Sequence, residues 1–423
     1  MALTEPGYKP RLIDVKIAKY MGLFGALSIE GPKWCGKTWT ALNHANSVVY
    51  ILDPENDYSN REAARLNPAA ILTGEKPLLV DEWQEVPGIW DAVRFASDRT
   101  KDKGQYLLTG SVTPKKGSFA HSGAGRIGRI RMRTMSLFES GDSLCAVSLS
   151  DLFKGKEIEP GVSRLSQDRL IDLVVRGGWP ENIDVAKEDT GILPEQYNIA
   201  LAETDITNAD NIKRNPELAL HLLAAVARTN MTSASLNKIV ADVQARFGDV
   251  KRQTVAEYLS VLIRLHVVEE IPQWFPELRD KLRLRKAPKR MLADPSIAAS
   301  ALKARPGDLA RDPRTLGGIF ENLCIRDLII YSESVGAKLS NYHDANELEV
   351  DAIIELGTKW AGVEIKLGAH RVEEGASGLK RLRDKLVSKG APMPAFLCVV
   401  TGGGPLLTRD DGIHVIPIDC LKP

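Results

Sequence analysis

Residues 31–38 read Gly31-Pro32-Lys33-Trp34-Cys35-Gly36-Lys37-Thr38, which satisfies the pattern G-x-x-x-x-G-K-[ST] in full. The apolar run Phe24 to Ile29 precedes this loop, and Thr38-Trp-Thr-Ala-Leu-Asn-His-Ala follows it without a helix breaker. Strand, glycine loop and helix start in this order aim backbone N–H groups and a helix N-terminus at one point, an anion site suited to phosphates. The pattern predicts an α/β domain with a parallel sheet and a bound nucleotide held by residues 31–38. Lys37 would reach the β- and γ-phosphates, and the Thr38 hydroxyl would ligate Mg²⁺.

A partner motif lies downstream. Pro77-Leu-Leu-Val-Asp-Glu is a short apolar strand that ends in Asp81 and Glu82. Asp81 suits Mg²⁺ held through water beside Thr38, and Glu82 is the expected base that polarises an attacking water. One more strand, Val48 to Asp53, falls between the two motifs. The following strand, Gln105 to Ser111, should lie beside the Asp81 strand with its end at the ligand crevice. Its Thr109 and Ser111 either sense the γ-phosphate or merely start a turn. Next comes Gly125-Arg126-Ile-Gly-Arg129-Ile-Arg131-Met-Arg133. Arg129, Arg131 and Arg133 recur at period two and read as a solvated strand face, with Ile130 and Met132 opposite. Arg126, in a glycine-rich loop, is either an arginine finger, in cis or across a subunit boundary, or one more solvated charge.

At 423 residues the chain should hold two or three domains, each with its own core. Net charge is +1, so any nucleic-acid affinity must come from local patches. Five cysteines, none in a C-x-x-C pair, argue for a reducing compartment and against structural zinc. No apolar stretch approaches the roughly 20 residues of a spanning helix, and the first residues lack the apolar core of a signal peptide. The expectation is a cytoplasmic protein with no membrane partner.

The P-loop domain is expected over 1–150 and a helical connector over 151–215. Three helical patterns follow: Pro216 to Thr229, Ser233 to Ala241 with Thr232 and Ser233 as caps, and Lys251 to Leu265. Val255, Tyr258, Leu259, Leu262 and Ile263 share one apolar face of the third. A strand from Val267 and the basic stretch 279–290 complete a winged-helix pattern over 216–292. Lys251, Arg252 and Gln253 would then face duplex DNA, and the basic stretch would track phosphates. The same elements equally suit a protein-packing module with a solvated wing.

A second constellation falls in 293–423, expected as a further α/β layer. Glu349-Val-Asp351-Ala-Ile-Ile-Glu reads as a strand, and Trp360-Ala-Gly-Val-Glu364-Ile-Lys366-Leu as its hairpin partner across Gly357. Glu364 and Lys366 share a face, with Asp351 alongside. Asp351 and Glu364, with Glu321 as a further member, could hold a divalent metal for phosphodiester attack, and Lys366 would position the water. The other reading of Glu-x-Lys is an ordinary cross-strand ion pair.

Taken in order, these motifs resemble the large bacterial and archaeal family of AAA-type ATPases that carry a C-terminal domain of unknown function. The residues concerned are Gly31 to Thr38, Leu78-Leu-Val-Asp-Glu-Trp-Gln-Glu-Val-Pro, Leu107-Leu-Thr-Gly-Ser, Gly125-Arg126, Met135-Ser-Leu-Phe-Glu and Gly177-Gly-Trp-Pro. The resemblance implies an ASCE-type P-loop domain in which Glu82 activates water. It also implies a winged helix followed by a restriction-endonuclease-like fold with Asp351, Glu364 and Lys366 as its signature. Thr109 and Ser111 stand where many such proteins use asparagine, and no second sensor arginine is evident, which together imply slow hydrolysis. The leading expectation is a Mg²⁺-dependent ATPase that couples nucleotide state to a DNA-associated tail. The alternatives are a non-hydrolysing switch or scaffold acting through protein contacts, and an ATP-regulated, metal-dependent nuclease. ATP, duplex DNA and a second copy of the chain are the expected partners, and nothing in the sequence separates ATP from GTP.

Overall fold

The computed structural model describes every residue except 1, 56, 116, 277–287 and 345. It divides into two compact units. The first comprises 1–134 together with 204–214 and 260–267, and the second comprises 135–203, 215–259 and 268–423. The P-loop unit thus ends earlier than residue 150 and takes in two later pieces of chain. Consecutive blocks of sequence could not reveal that return.

In the first unit five parallel strands form one sheet: β1 (Ala26–Glu30), β2 (Ser47–Tyr50), β3 (Leu78–Asp81), β4 (Tyr106–Gly110) and β5 (Ile127–Arg131). Their order is β2-β3-β4-β1-β5. The strands are nearly continuous runs of apolar residues because helices cover both faces. Leu27, Ile29, Leu79 and Leu107 point to one side, against Ile17 and Leu42. Ala26, Leu78, Val80 and Leu108 point to the other, against Trp83, Trp90 and Val93. This period-two split buries β1, β3 and β4 on both faces, which fixes the depth of their ends. β4 lies beside β3, the Asp81 strand, as expected, and has β1 on its other side.

The second unit contains β6 (Val147–Ser148), β7 (Gly161–Val162), β8 (Val268–Ile271), β9 (Lys289–Leu292), β10 (Lys338–His343), β11 (Glu349–Leu356), β12 (Lys359–Lys366), β13 (Phe396–Thr401), β14 (Pro405–Thr408), β15 (His414–Pro417) and β16 (Leu421–Lys422). Seven of them form a mixed sheet in the order β10-β11-β12-β13-β15-β14-β7. Ala376, Leu379, Leu382 and Leu386 of the helix Val372–Val387 recur every three or four residues and pack on Val350, Ile353, Leu397 and Val399. Gly357, with φ of +62°, makes the tight turn from β11 to β12.

The middle helices run over Pro216–Arg228, Leu236–Phe247 and Arg252–Arg264. Asn215 caps the first by accepting from Glu217 and Leu218 N–H. The second starts later than the sequence pattern predicts. Thr232 is drawn into a backbone bridge with Arg290, so Ser235 becomes the cap instead. Antiparallel β8 and β9 follow the third helix. Most of the basic stretch 279–290 lies outside the described residues.

Candidate nucleotide site and carboxylate cleft

Residues 31–38 close the loop between β1 and the helix Lys37–Leu42. Gly31 is obligatory for a steric reason, since a Cβ there would lie 2.3 Å from the Met132 carbonyl oxygen. Trp34 and Gly36 both take left-handed backbone, φ +64° and +95°. Glycine adopts this freely, whereas tryptophan does so at a cost of about 1–3 kcal/mol. Successive N–H groups arranged in this way form an anion-binding concavity. Lys37 Nζ donates to the Pro32 carbonyl at 2.8 Å, and Lys33 Nζ reaches Asp205 at 2.6 Å. Arg11 braces the loop from beneath, donating to the Cys35 and Arg133 carbonyls at 2.8 Å each. Cys35 itself is fully buried.

Beside the loop, the Thr38 hydroxyl donates to Asp81 Oδ1 at 2.8 Å, and Thr109 Oγ1 donates to the same oxygen at 2.5 Å. Burial lifts the Asp81 carboxyl above the usual carboxylate range, and the neighbouring Glu82 adds to the effect. Glu82 turns out of the strand with φ +57°. Its carboxylate accepts from Ser111 Oγ at 2.9 Å and from the Gln84 amide. Of the two hydroxyls at the end of β4, one therefore serves Asp81 and the other Glu82. Thr38 and Asp81 supply adjacent oxygen donors, a set that fits Mg²⁺ bound with retained waters.

Arg126 is elsewhere. It immediately precedes β5, which runs parallel to β1, so it sits at the end of the sheet away from the loop. There its Nε pairs with Asp98 at 2.5 Å. A finger in cis is therefore excluded by the direction of the strand. Arg129 is not simply solvated either: its guanidinium lies 4.4 Å from the Trp90 ring centroid. Arg133 is buried.

The loop after β4 is held by residues that no motif marks. Arg264 donates to the Thr113 carbonyl at 2.9 Å and reaches Asp210 at 3.2 Å. Asp210 also pairs with Arg214 at 2.6 Å and Lys115 at 3.0 Å. Burial opposes its charge, but Arg214 and Lys115 outweigh burial and hold its carboxyl far below the ordinary range. The pieces 204–214 and 260–267 thus grip the chain just beyond Ser111. No local pattern announces a contact across some 150 residues of sequence.

In the second unit the expected carboxylates do meet. Asp351 lies one residue beyond the paired Ala352 and Val363, which sets it beside Glu364. Asp351 Oδ2 accepts from the Ile365 N–H at 2.8 Å, and Lys366 Nζ lies 3.0 Å from Glu364. Glu321 comes from the third turn of the helix Pro313–Ser334, which Asp312 caps. A cavity of about 870 Å³ opens onto Glu321, Asp351 and Lys366, with Arg314, His370 and Arg371 also lining it.

The metal role expected for Glu321, Asp351 and Glu364 needs correction. Among the described residues no group of three His, Cys, Asp or Glu side chains is arranged to hold a metal ion. Glu364 pairs with Lys366, and the cation that Glu321 and Asp351 meet is Lys289, the first residue of β9 and 1 % exposed. Its Nζ lies 2.7 Å from Glu321, 3.3 Å from Asp351 and 3.4 Å from Glu349. Burial works against the Asp351 charge, yet Lys289, the Ile365 N–H and Lys366 together hold its carboxyl below the usual range. Burial and the Asp351 charge push Glu321 and Glu364 the other way, upward.

The motifs around Met135 and Gly177 prove to be architectural. Asp294 and Asp327 flank Arg326 at 3.0 and 2.8 Å, and all three are buried. Asp294 accepts from the Gly178 N–H and Asp327 from the Leu137 N–H, both at 2.9 Å. A Cβ on Gly178 would fall 2.1 Å from the Met135 carbonyl oxygen.

Three family models match successive segments of the chain. Residues 24–140 match an AAA domain, 167–308 match the domain of unknown function DUF8612, and 316–421 match the domain of unknown function DUF4143. The uncharacterized proteins Rv2008c of Mycobacterium tuberculosis and Mb2031c of Mycobacterium bovis are each 24 % identical over 347 residues, spanning 80 % of this chain and 69 % of theirs. Among solved structures, a Walker-type ATPase of Pyrococcus abyssi aligns over 71 % of this chain and 97 % of its own, at 12 % identity and a TM-score of 0.44. Residues 24–140 are thus an AAA domain on a P-loop α/β fold, and residues 316–421 carry the domain of unknown function DUF4143.

Proposed function

We propose that this protein binds ATP with Mg²⁺, hydrolyses it, and uses the nucleotide state to act on a DNA-associated C-terminal part. The observation that carries the reading is the shared geometry of Thr38, Asp81, Thr109, Glu82 and Ser111 at the ends of β1, β3 and β4. Residues 31–38 would cradle the phosphates, and Thr38 and Asp81 would hold the metal ion. When bound, Mg²⁺ supplies charge neutralisation on the phosphate oxygens. Lys37, now resting on the Pro32 carbonyl, has phosphate oxygens as alternative acceptors. Glu82 is the residue to orient and deprotonate water, and Ser111 and Gln84 fix its carboxylate.

Coupling would start at Ser111. The chain after it is held by Arg264, and residues 260–267 continue directly from the middle segment. We read 216–292 as a winged helix and 293–423 as a restriction-endonuclease-like layer. The three helices followed by antiparallel β8 and β9 support the first reading. Lys251, Arg252 and Gln253 are exposed at the start of the third helix, while Val255, Tyr258, Leu259 and Leu262 are buried. That leaves the basic end available to DNA phosphates.

The test is phosphate release from ATP by the full chain, with and without duplex DNA, beside Lys37→Ala and Glu82→Gln. Turnover that DNA stimulates and both substitutions abolish is the expected result. Tight ATP binding with no turnover under either condition would replace the ATPase with a nucleotide-dependent switch.

A further inference from the structure

The cleft around Asp351 presents a contradiction in charge. Carboxylates from three separate elements converge there: Glu321 from the helix Pro313–Ser334, Glu349 and Asp351 from β11, and Glu364 from β12. A cavity leads in from solvent. Carboxylates gathered at the end of such a cavity would ordinarily be balanced by a bound cation, because burying several negative charges without one is prohibitive. Here the chain supplies the cation itself. Lys289 is a long, almost fully buried side chain whose ammonium sits within 3.4 Å of Glu321, Asp351 and Glu349 at once. It comes from β9, a strand of a different sheet from β11 and β12.

We propose that Lys289 is a built-in counter-cation that occupies the place a divalent ion would take in the Asp351 cleft, so that the cleft takes up such an ion only when this ammonium is removed or withdrawn. Three observations argue that the lysine has this role and is not one more ion pair. Its partners are three carboxylates, one at 2.7 Å, so a single ammonium balances a group that no one-to-one pair explains. The second lysine, Lys366, is occupied otherwise, with Glu364 at 3.0 Å and Glu374 at 3.5 Å. Finally, the cleft stays open toward Asp351 and Glu321, so a small hydrated ion has a route in once the ammonium is gone. An ammonium and a divalent ion at this point of the cleft compete for the same space and repel one another.

The inference stands apart from the ATPase reading, because it is tested with no nucleotide present and with the P-loop unchanged in every variant. The probe is Mn²⁺ alone, counted by electron paramagnetic resonance and calorimetry on the full chain. Wild type should show no Mn²⁺ that Asp351→Asn removes. Lys289→Met should gain one ion per chain, bound at least about tenfold tighter than anything wild type holds in the cleft. The double variant Lys289→Met with Asp351→Asn should lose that ion again. Equal binding by wild type and Lys289→Met, or a gained ion that survives Asp351→Asn, would overturn the proposal.

Lys289→Met leaves the carboxylates without their partner and could fail to fold in metal-free buffer. The charge-compensated variant Lys289→Met with Glu321→Gln then decides. Its recovery of folding, or rescue of Lys289→Met by added Mn²⁺ that wild type does not need, supports the counter-cation role. If both variants unfold alike and Mn²⁺ rescues neither, Lys289 is needed for packing and the proposal fails.

Discussion

Two places in this molecule gather acidic side chains at strand ends, and they satisfy them in opposite ways. Asp81 is held by hydroxyls, Thr38 at 2.8 Å and Thr109 at 2.5 Å. Asp351 is held by the Lys289 ammonium and a backbone N–H. A hydroxyl is both donor and acceptor and can turn toward an arriving cation, offering it a lone pair. An ammonium has no lone pair to offer and cannot turn away without leaving carboxylates uncompensated. The first arrangement is poised for a cation to enter, whereas the second already contains one. Strand-end carboxylates alone therefore do not define a metal site; the identity of their donors does.

The largest expected effect tests the poised side of this contrast. Glu82→Gln should lower ATP turnover about 10³-fold, the scale of a lost general base, while ATP affinity is retained. An unchanged turnover rate in a phosphate-release assay would remove Glu82 from that role. On the self-compensated side, Asp142 pairs with Arg176 at 2.6 Å and Arg169 at 2.7 Å. Asp142→Asn strands the buried Arg176 and should cost about 3 kcal/mol in urea unfolding at neutral pH.

This pair also carries a pH signature. Burial disfavours the Asp142 carboxylate, but hydrogen bonding and charge from Arg176, with help from Ser140 and Arg169, depress its pKa overall. In acid the unfolded chain therefore binds the proton first. The stabilisation is complete above the ordinary aspartate value of about 4 and is lost as pH falls below it. The acid limb of a melting-temperature profile should flatten in Asp142→Asn; an identical limb would show that the pair does not govern acid stability.

Smaller effects come from the glycines. Gly31→Ala and Gly178→Ala each force a Cβ against a carbonyl oxygen and should destabilise by about 1–3 kcal/mol. Only the first should weaken ATP binding by isothermal titration, since Gly178 belongs to the Asp294–Arg326 network. Equal losses of ATP affinity would erase the distinction between a binding glycine and an architectural one. Smallest of all, Arg126→Ala should leave the turnover of dilute protein unchanged. A loss of turnover that grows with protein concentration would instead point to a finger acting across a subunit boundary.

How much of this was legible follows from how each site is assembled. The phosphate loop is a contiguous motif whose flanks are a strand and a helix, so eight letters carried the geometry. Asp81, Glu82 and Ser111 followed because parallel strands bring their ends to one edge. Asp351, Glu364 and Glu321 were found by alternation and spacing, but Lys289 was not. It sits in a basic stretch where a solvated, phosphate-tracking role was the natural reading, and only tertiary packing turns its side chain inward. Asp210 and Arg264 escaped notice for the same reason: their partners lie far along the chain. The placement of Arg126 failed on direction, because period two fixes a face of a strand and not which end approaches the ligand.

The left-handed Trp34 has an optical consequence. Of the seven tryptophans, Trp34 stands inside the phosphate loop between two lysine-bearing turns, about half exposed at 47 %. Trp83 and Trp90 are buried in the apolar layer behind β3 and β4. The protein therefore carries its own fluorophore at the point of ligand entry, with buried indoles as an internal reference. Trp39, on the helix after the loop, is 46 % exposed, so adding ATP should change the quenching of two emitters by iodide, and the Trp34 share of that change should vanish in Trp34→Phe. Nucleotide occupancy can then be followed without labelling the chain.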